Sequence, residues 1–183
     1  MDSLLSNNTW ILVDLPPGSK PIGCKWVFRI KYNTNNSIQR FKAKLVAQGF
    51  TQKEGIDYFD TYGPVVRISS IRTLLALASV YKLEVHQMGV KTACLNGNLN
   101  EEVYMKQPKG FIMPGNENKV CKLVKSLYGL KQAPKQWHGK FDSVVLSYGF
   151  QHNSADRCIY SKFNDQYGVI ICPYVDDMLI ISK

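Results

Sequence analysis

The last fifteen residues constrain the chain more than any other stretch. Val169-Ile170-Ile171-Cys172-Pro173-Tyr174-Val175 and Met178-Leu179-Ile180-Ile181 are short apolar runs, rich in β-branched residues and without alternation. That pattern predicts two strands buried on both faces, with Asp176-Asp177 at the tip of a hairpin or at a sharp bend between them. Two aspartates alone read most simply as turn formers. Tyr174-Val175-Asp176-Asp177 enclosed by apolar strands is a narrower pattern, because a pair of fixed carboxylates at a strand end suits magnesium ions clamping a phosphoryl transfer. A hairpin ending at Lys183 is also expected to leave apolar surface open near Met178 to Ile181.

The charge distribution fits a polyanion. The net charge is +9 over 183 residues, and it is uneven. From Leu15 to Lys53 there are eight Lys or Arg and no acid, and from Val103 to Phe141 there are eight Lys against the single acid Glu117. Two basic blocks framing an acidic tip predict a cleft for nucleic acid with metal at its floor, although lysines of this kind also serve as solvated surface. With 45% hydrophobic and 20% charged residues, the chain can bury one substantial core or two small lobes. Cys24, Cys94, Cys121, Cys158 and Cys172 are odd in number and scattered, which argues against a zinc site or disulfide framework and for a reducing compartment. No apolar run approaches the ~18 residues of a membrane span, and Met1-Asp2-Ser3 lacks a basic signal head, so an intracellular protein is expected. The chain begins and ends close to apolar segments, as a piece of something longer would.

Between these blocks the elements follow from periodicity. Trp10 to Val13 predicts a short strand running into Pro16-Pro17-Gly18. Lys25 to Tyr32 and Phe41 to Ala47 alternate around Asn33-Thr34-Asn35-Asn36, which predicts a half-buried hairpin with Trp26, Phe28 and Ile30 inward and a basic opposite face. On it Lys42 and Lys44 lie about 7 Å apart, a spacing that suits neighbouring phosphates as well as an edge strand's solvated lysines. Ile71, Leu74, Leu75 and Ala78 mark one face of a helix behind a serine cap at Ser69-Ser70. Leu83 to Met88 reads as a strand feeding a turn or helix entrance at Gly89 to Gly97. Pro134 opens a helix whose stripe is Trp137, Phe141, Val144, Val145 and Tyr148 and whose stop is Gly149. Strands on either side of Asn164-Asp165-Gln166 close the sheet onto the acidic tip.

Seven ordered blocks now resemble one family. Trp26 to Lys31, Phe41 to Phe50, Val90 to Ala93, Leu95 to Gly97, Glu101 to Met105, Leu127 to Pro134 and Tyr174 to Asp177 are similar, in this order, to the reverse transcriptase of copia-type long-terminal-repeat retrotransposons. The resemblance implies an α+β fold, the fingers and palm of a right-hand polymerase with an antiparallel palm sheet backed by helices, stopping after the catalytic hairpin. Residues 1–82 would be mainly fingers, and 83–183 mainly palm with part of the fingers. It implies RNA-directed DNA polymerisation on an RNA or DNA template-primer from deoxynucleoside triphosphates, with Mg²⁺ or Mn²⁺ as cofactor. Integrase and ribonuclease H would occupy the rest of a polyprotein, and no membrane is involved. The expected location is cytoplasmic, in a virus-like particle, or nuclear.

Carried over by position, Asp176 resembles the principal metal-binding carboxylate and Asp177 its catalytic neighbour. The carbonyl of Val90 would be a further metal ligand, Lys42 and Lys44 would meet the triphosphate, and Gln132 and Cys94 would lie in the nucleotide pocket. Two positions depart from the family's Gln-Met-Asp-Val-Lys-Thr-Ala-Phe. Gly89 stands where the family has the carboxylate that joins Asp176 in holding both ions, and Cys94 stands where it has the aromatic beneath the sugar. Loss of a shared carboxylate costs charge and geometry together, and roughly 4 kcal/mol in transition-state stabilisation would be about a thousandfold in rate. The resemblance therefore implies impaired activity with weakened metal binding. The alternatives are a nucleic-acid-binding remnant without chemistry and a decayed element.

Overall fold

The computed structural model of the chain describes residues 2–183, so the reading placed on Met1 lies outside the described residues. Its elements are α1 (Asp2–Ser6), β1 (Trp10–Val13), β2 (Cys24–Tyr32), β3 (Ile38–Ala47), α2 (Ile68–Tyr81), β4 (Glu84–Gly89), β5 (Tyr104–Met105), β6 (Val120–Leu123), α3 (Ala133–Ser147), β7 (Gln151–His152), β8 (Tyr160–Phe163), β9 (Gly168–Tyr174) and β10 (Asp177–Ser182), with 3₁₀ turns at Gly49–Thr51 and Ala93–Asn96. All named strands pair antiparallel, in sheets ordered β1-β6-β5, β4-β10-β9-β8-β7 and β2-β3. The fold is α+β, as expected.

The five-stranded sheet lies between two helices. Because side chains alternate along a strand and Cys172 pairs with Leu179, Ile170, Cys172 and Leu179 share one face, where they pack with Val66, Ile71 and Leu74 beneath α2. Ile171 and Met178 share the other face with Tyr160, and meet Trp137, Phe141 and Val145 of α3. Two covered faces explain the unbroken apolar runs of β9 and β10. Cover is incomplete, however: Cys172 and Ile181 are buried and most of their neighbours are half-buried. The apolar surface expected near Met178 to Ile181 lies elsewhere, on edge strand β4 at Val85 and Met88 and on the outer side of α2 at Val80.

One long helix starts and stops where its local sequence suggests, and the other does not start that way. Pro134 sits in the first turn of α3, and Gly149 at φ 82° closes it, its N–H donating to the Leu146 carbonyl at 2.9 Å. In α2 the expected serine cap is absent: the N-cap is Arg67, and no side chain of the helix caps it. Instead Asp156 accepts the Arg67 N–H at 3.0 Å and the Ser70 hydroxyl at 2.8 Å, so a carboxylate from the β7–β8 connection fills the role.

The β2–β3 ribbon also differs from its expected half-burial. Its register places Trp26, Phe28 and Ile30 opposite Leu45, Ala43 and Phe41, while Lys25, Arg29 and Lys31 share the other face with Lys42, Lys44 and Arg40. The alternation is as read, but only the base is buried, at Leu45 and Ala47; Phe28 and Phe41 are 75% and 74% exposed. The ribbon projects from the three-stranded sheet's core, and its basic face runs toward the acidic hairpin through Lys44.

Candidate active site

The register Tyr174↔Asp177 leaves Val175 and Asp176 as a two-residue hairpin loop. Such loops need a positive φ, and Val175 supplies it at 56°. A β-branched residue in the left-handed region is strained by about 1–3 kcal/mol and persists only where its surroundings over-determine it. Here they do: the Trp137 indole N–H donates to the Val175 carbonyl at 2.8 Å, and the Val90 N–H donates to the Asp176 carbonyl at 2.7 Å. The tip is thus fixed from α3 on one side and from the end of β4 on the other.

Asp176 is the centre of the arrangement. Its Oδ2 accepts the Tyr128 hydroxyl at 3.0 Å and lies 4.0 Å from Lys44 Nζ, while its Oδ1 is buried without a hydrogen-bond partner. The Lys44 ammonium stands over the Tyr128 ring, 3.3 Å from its centroid, a cation–π contact that orients the amine. Burial raises the Tyr128 hydroxyl's pKa, and the neighbouring Cys94 thiol and Asp176 carboxylate add to the effect, so the phenol remains a donor. Cys94 is buried beside them, its thiol pushed up to about 11 by burial first and by Asp176 second. Asp176, Cys94 and Tyr128 line a cavity of about 200 Å³ whose apolar wall is Trp137, Phe141 and Pro173.

The second carboxylate faces elsewhere. Asp177 pairs with Gly89 across β10 and β4, and a Cβ at position 89 would lie 3.3 Å from Asp177 Oδ1 with no other neighbour within 4 Å. The first carbon of a side chain at 89 is therefore nearest to Asp177. Alternation along β10 puts Asp177 on the α2 side of the sheet, whereas Asp176 lines the cavity on the α3 side.

Of the other residues read from the sequence, Val90 is the backbone neighbour of Asp176. Lys42 is exposed on the basic face of the ribbon and lines a pocket with Lys44, Thr92 and Tyr128. Gln132 is not brought to the site. It is fully buried, its Oε1 accepting from Gln52 at 3.1 Å and its Nε2 donating to the Asp57 carbonyl at 3.1 Å, so both ends of the amide hold the 52–57 loop. The residue that sequence reasoning passed over is Tyr128, whose only local signal is its place before Gly129. That glycine has φ 94°, and a Cβ on it would stand 2.2 Å from the Ala47 carbonyl oxygen, so only glycine lets this loop press against β3.

The donor set can be weighed against a divalent cation. A carboxylate with one buried oxygen lacking a partner is a ligand position, since such an atom is costly to leave unsatisfied. Among the described residues, however, no three His, Cys, Asp or Glu side chains converge. The residues fit one cation at Asp176 and lack the further carboxylate that a glycine at 89 cannot supply.

A model of the family described as "Reverse transcriptase (RNA-dependent DNA polymerase)" matches residues 7–183. The chain belongs to this reverse transcriptase family. Among its relatives, the "Retrovirus-related Pol polyprotein from transposon TNT 1-94" of Nicotiana tabacum is 51% identical over 100% of this chain and 14% of the relative. The corresponding polyprotein from transposon RE1 of Arabidopsis thaliana is 41% identical over 100% of the chain and 13% of its own length. The "Truncated transposon Ty1-A Gag-Pol polyprotein" of Saccharomyces cerevisiae is 31% identical, again over 100% of the chain and 15% of the relative. This reverse transcriptase segment thus corresponds to about a seventh of such a polyprotein, of the copia type that its blocks resemble. No solved structure matches it.

Proposed function

We propose that this reverse transcriptase segment forms the fingers and palm of a right-hand polymerase, residues 1–82 mainly fingers and 83–183 mainly palm, with RNA-directed DNA polymerisation as its ancestral activity and Gly89 as the reason that activity is impaired. The observation that carries the reading is the Asp176 carboxylate on its strained, doubly braced tip, with one oxygen buried and free and a lysine of the basic ribbon beside the other. Polymerase chemistry needs this: a primer 3′-oxygen bonds to the α-phosphorus of a nucleotide as its proton passes to water and the bond to the departing pyrophosphate breaks, and the protein contributes position and charge rather than a covalent intermediate. Mg²⁺ or Mn²⁺, held by Asp176 and the Val90 carbonyl, would supply charge neutralisation at the phosphates. Lys44 and Lys42 would take the triphosphate oxygens on the ribbon's basic face, the Lys44 amine leaving Asp176 to do so. Cys94 beneath them gives the sugar a small neighbour.

Template-primer would lie along the cations of β2 and β3, and integrase and ribonuclease H would accompany the segment in its parent polyprotein, in cytoplasmic particles or the nucleus. A second reading, a nucleic-acid-binding remnant without chemistry, is favoured by the single observation that position 89 offers Asp177 no partner carboxylate. Fluorescence anisotropy with labelled primer-template tests what both readings share. Six ribbon cations meeting phosphates should lose roughly a thousandfold in affinity between 50 and 200 mM salt. Absence of binding at low salt, or binding indifferent to salt, refutes the nucleic-acid cleft. Incorporation of a nucleotide separates the first reading from the second.

A further inference from the structure

We infer that Tyr128 is a positioning residue of this site, holding the Asp176 carboxylate and the Lys44 ammonium in one fixed relation; the inference rests on the reading of Asp176 as a metal ligand. Tyr128 touches both charged groups at once. Its hydroxyl donates to Asp176 Oδ2 at 3.0 Å, and its ring carries Lys44 Nζ at 3.3 Å from the centroid. Lys44 lies on β3 and Asp176 on the β9–β10 loop, and among the described residues no other side chain is hydrogen-bonded or ion-paired to Asp176.

The backbone beneath the ring is fixed as firmly. The Tyr128 carbonyl accepts the Ala47 N–H at 2.7 Å. Gly129 and Gly49 allow the two chains to approach so closely that a Cβ at either would stand 2.2 or 2.0 Å from the other segment's carbonyl oxygen. The ring therefore cannot drift with the ribbon's exposed tip. Oδ2 is committed to the phenol, which leaves Oδ1, buried and without a partner, as the atom presented to a cation. Lys44, 4.0 Å from Oδ2, supplies positive charge in the metal's absence and competes with it. Second-sphere donors of this kind fix the orientation of a ligating carboxylate, and their loss costs about tenfold or more in metal affinity.

The test is Mn²⁺ titration of the purified chain, followed by the paramagnetic resonance signal of free Mn²⁺, in two backgrounds, wild type and Gly89→Asp. In whichever background Asp176→Asn abolishes binding, Tyr128→Phe, which keeps the ring and the lysine contact and removes only the hydroxyl, should weaken Mn²⁺ roughly tenfold. Lys44→Met should tighten it several-fold by removing the competing cation. Opposite changes in two neighbours cannot come from general loosening, and circular dichroism and melting temperature report whether either variant has lost the fold. Tyr128→Phe that binds Mn²⁺ as tightly as its parent overturns the positioning role, as does a Lys44→Met that weakens binding as much as Tyr128→Phe. If Asp176→Asn leaves Mn²⁺ affinity unchanged, or no background binds Mn²⁺, the metal reading of Asp176 itself fails, and the positioning inference with it.

Discussion

Asp156 should be the most consequential carboxylate outside the hairpin, because it replaces the missing cap of α2. It is 8% exposed and accepts three hydrogen bonds, from the Arg67 N–H, the Ser70 hydroxyl and the Cys158 N–H, at 3.0, 2.8 and 3.0 Å. Asp156→Ala would leave these donors without their acceptor. A cap alone contributes about 0.5–2 kcal/mol, and hydrogen bonds to a charged group about 1.5–3 kcal/mol each; since water can reach some of them, we expect a loss of about 3 kcal/mol, or ~6–12 °C in melting temperature for a chain of this size. Asp156→Asn, which keeps an acceptor but no charge, should lose about half as much.

The pH dependence has a definite sign. Burial alone would raise the Asp156 pKa, but the Arg67 N–H, the Ser70 hydroxyl, the Cys158 N–H and the Arg67 charge together lower it below its ordinary 3.8. A depressed folded-state pKa stabilises above the unfolded value, and that stability is lost as pH falls through the folded pKa. Urea melts followed by far-ultraviolet circular dichroism from pH 7 down to pH 3 should show this acid-side loss in the wild type and a flatter profile in Asp156→Asn. A melt of Asp156→Ala within 0.5 kcal/mol of wild type would refute the view that this carboxylate holds α2, a threshold set by ordinary surface substitutions at about that size.

Two other expectations are independent of metal. Gly129→Ala should destabilise by at least about 2 kcal/mol, since the added carbon meets the Ala47 carbonyl at 2.2 Å with φ at 94°; a soluble variant melting like wild type would contradict the close packing of that loop on β3. The thiols of Cys94, Cys121 and Cys172, raised by burial to about 11, about 12 and about 11, should resist iodoacetamide at pH 8 in the native chain and react in urea; mass spectrometry locating fast native alkylation at any of them would show that its pocket is open.

Local periodicity carried most of the elements and the tip itself. Alternation in Trp26 to Tyr32 and Phe41 to Ala47, the Pro134 to Gly149 helix and the enclosed Asp176-Asp177 are patterns that adjacent residues write for themselves. What stayed hidden depends on partners distant in sequence. Ser69-Ser70 resembled a cap because nothing nearby discloses that Asp156, 86 residues after Ser70, would take its place. Gln132 had the sequence context of a nucleotide contact, yet tertiary packing spends its amide on Gln52 and Asp57. Tyr128 and Lys44 meet only once the ribbon is docked. The half-burial expected for Phe28 and Phe41 failed because alternation reports which side chains share a face, not whether anything covers that face.

Single-nucleotide incorporation by wild type, Gly89→Asp and Gly89→Asp/Asp176→Asn decides whether this is a polymerase site missing one carboxylate. A carboxylate restored at 89 would stand beside exposed Asp177, costing on the order of 1 kcal/mol in like-charge repulsion without metal. With Mn²⁺ present, the gain should be up to about a thousandfold in rate, corresponding to roughly 4 kcal/mol. Wild type should show barely detectable incorporation, Gly89→Asp a large gain, and the double variant loss of that gain. Wild-type incorporation as fast as that of Gly89→Asp, or a gain that survives Asp176→Asn, would contradict this.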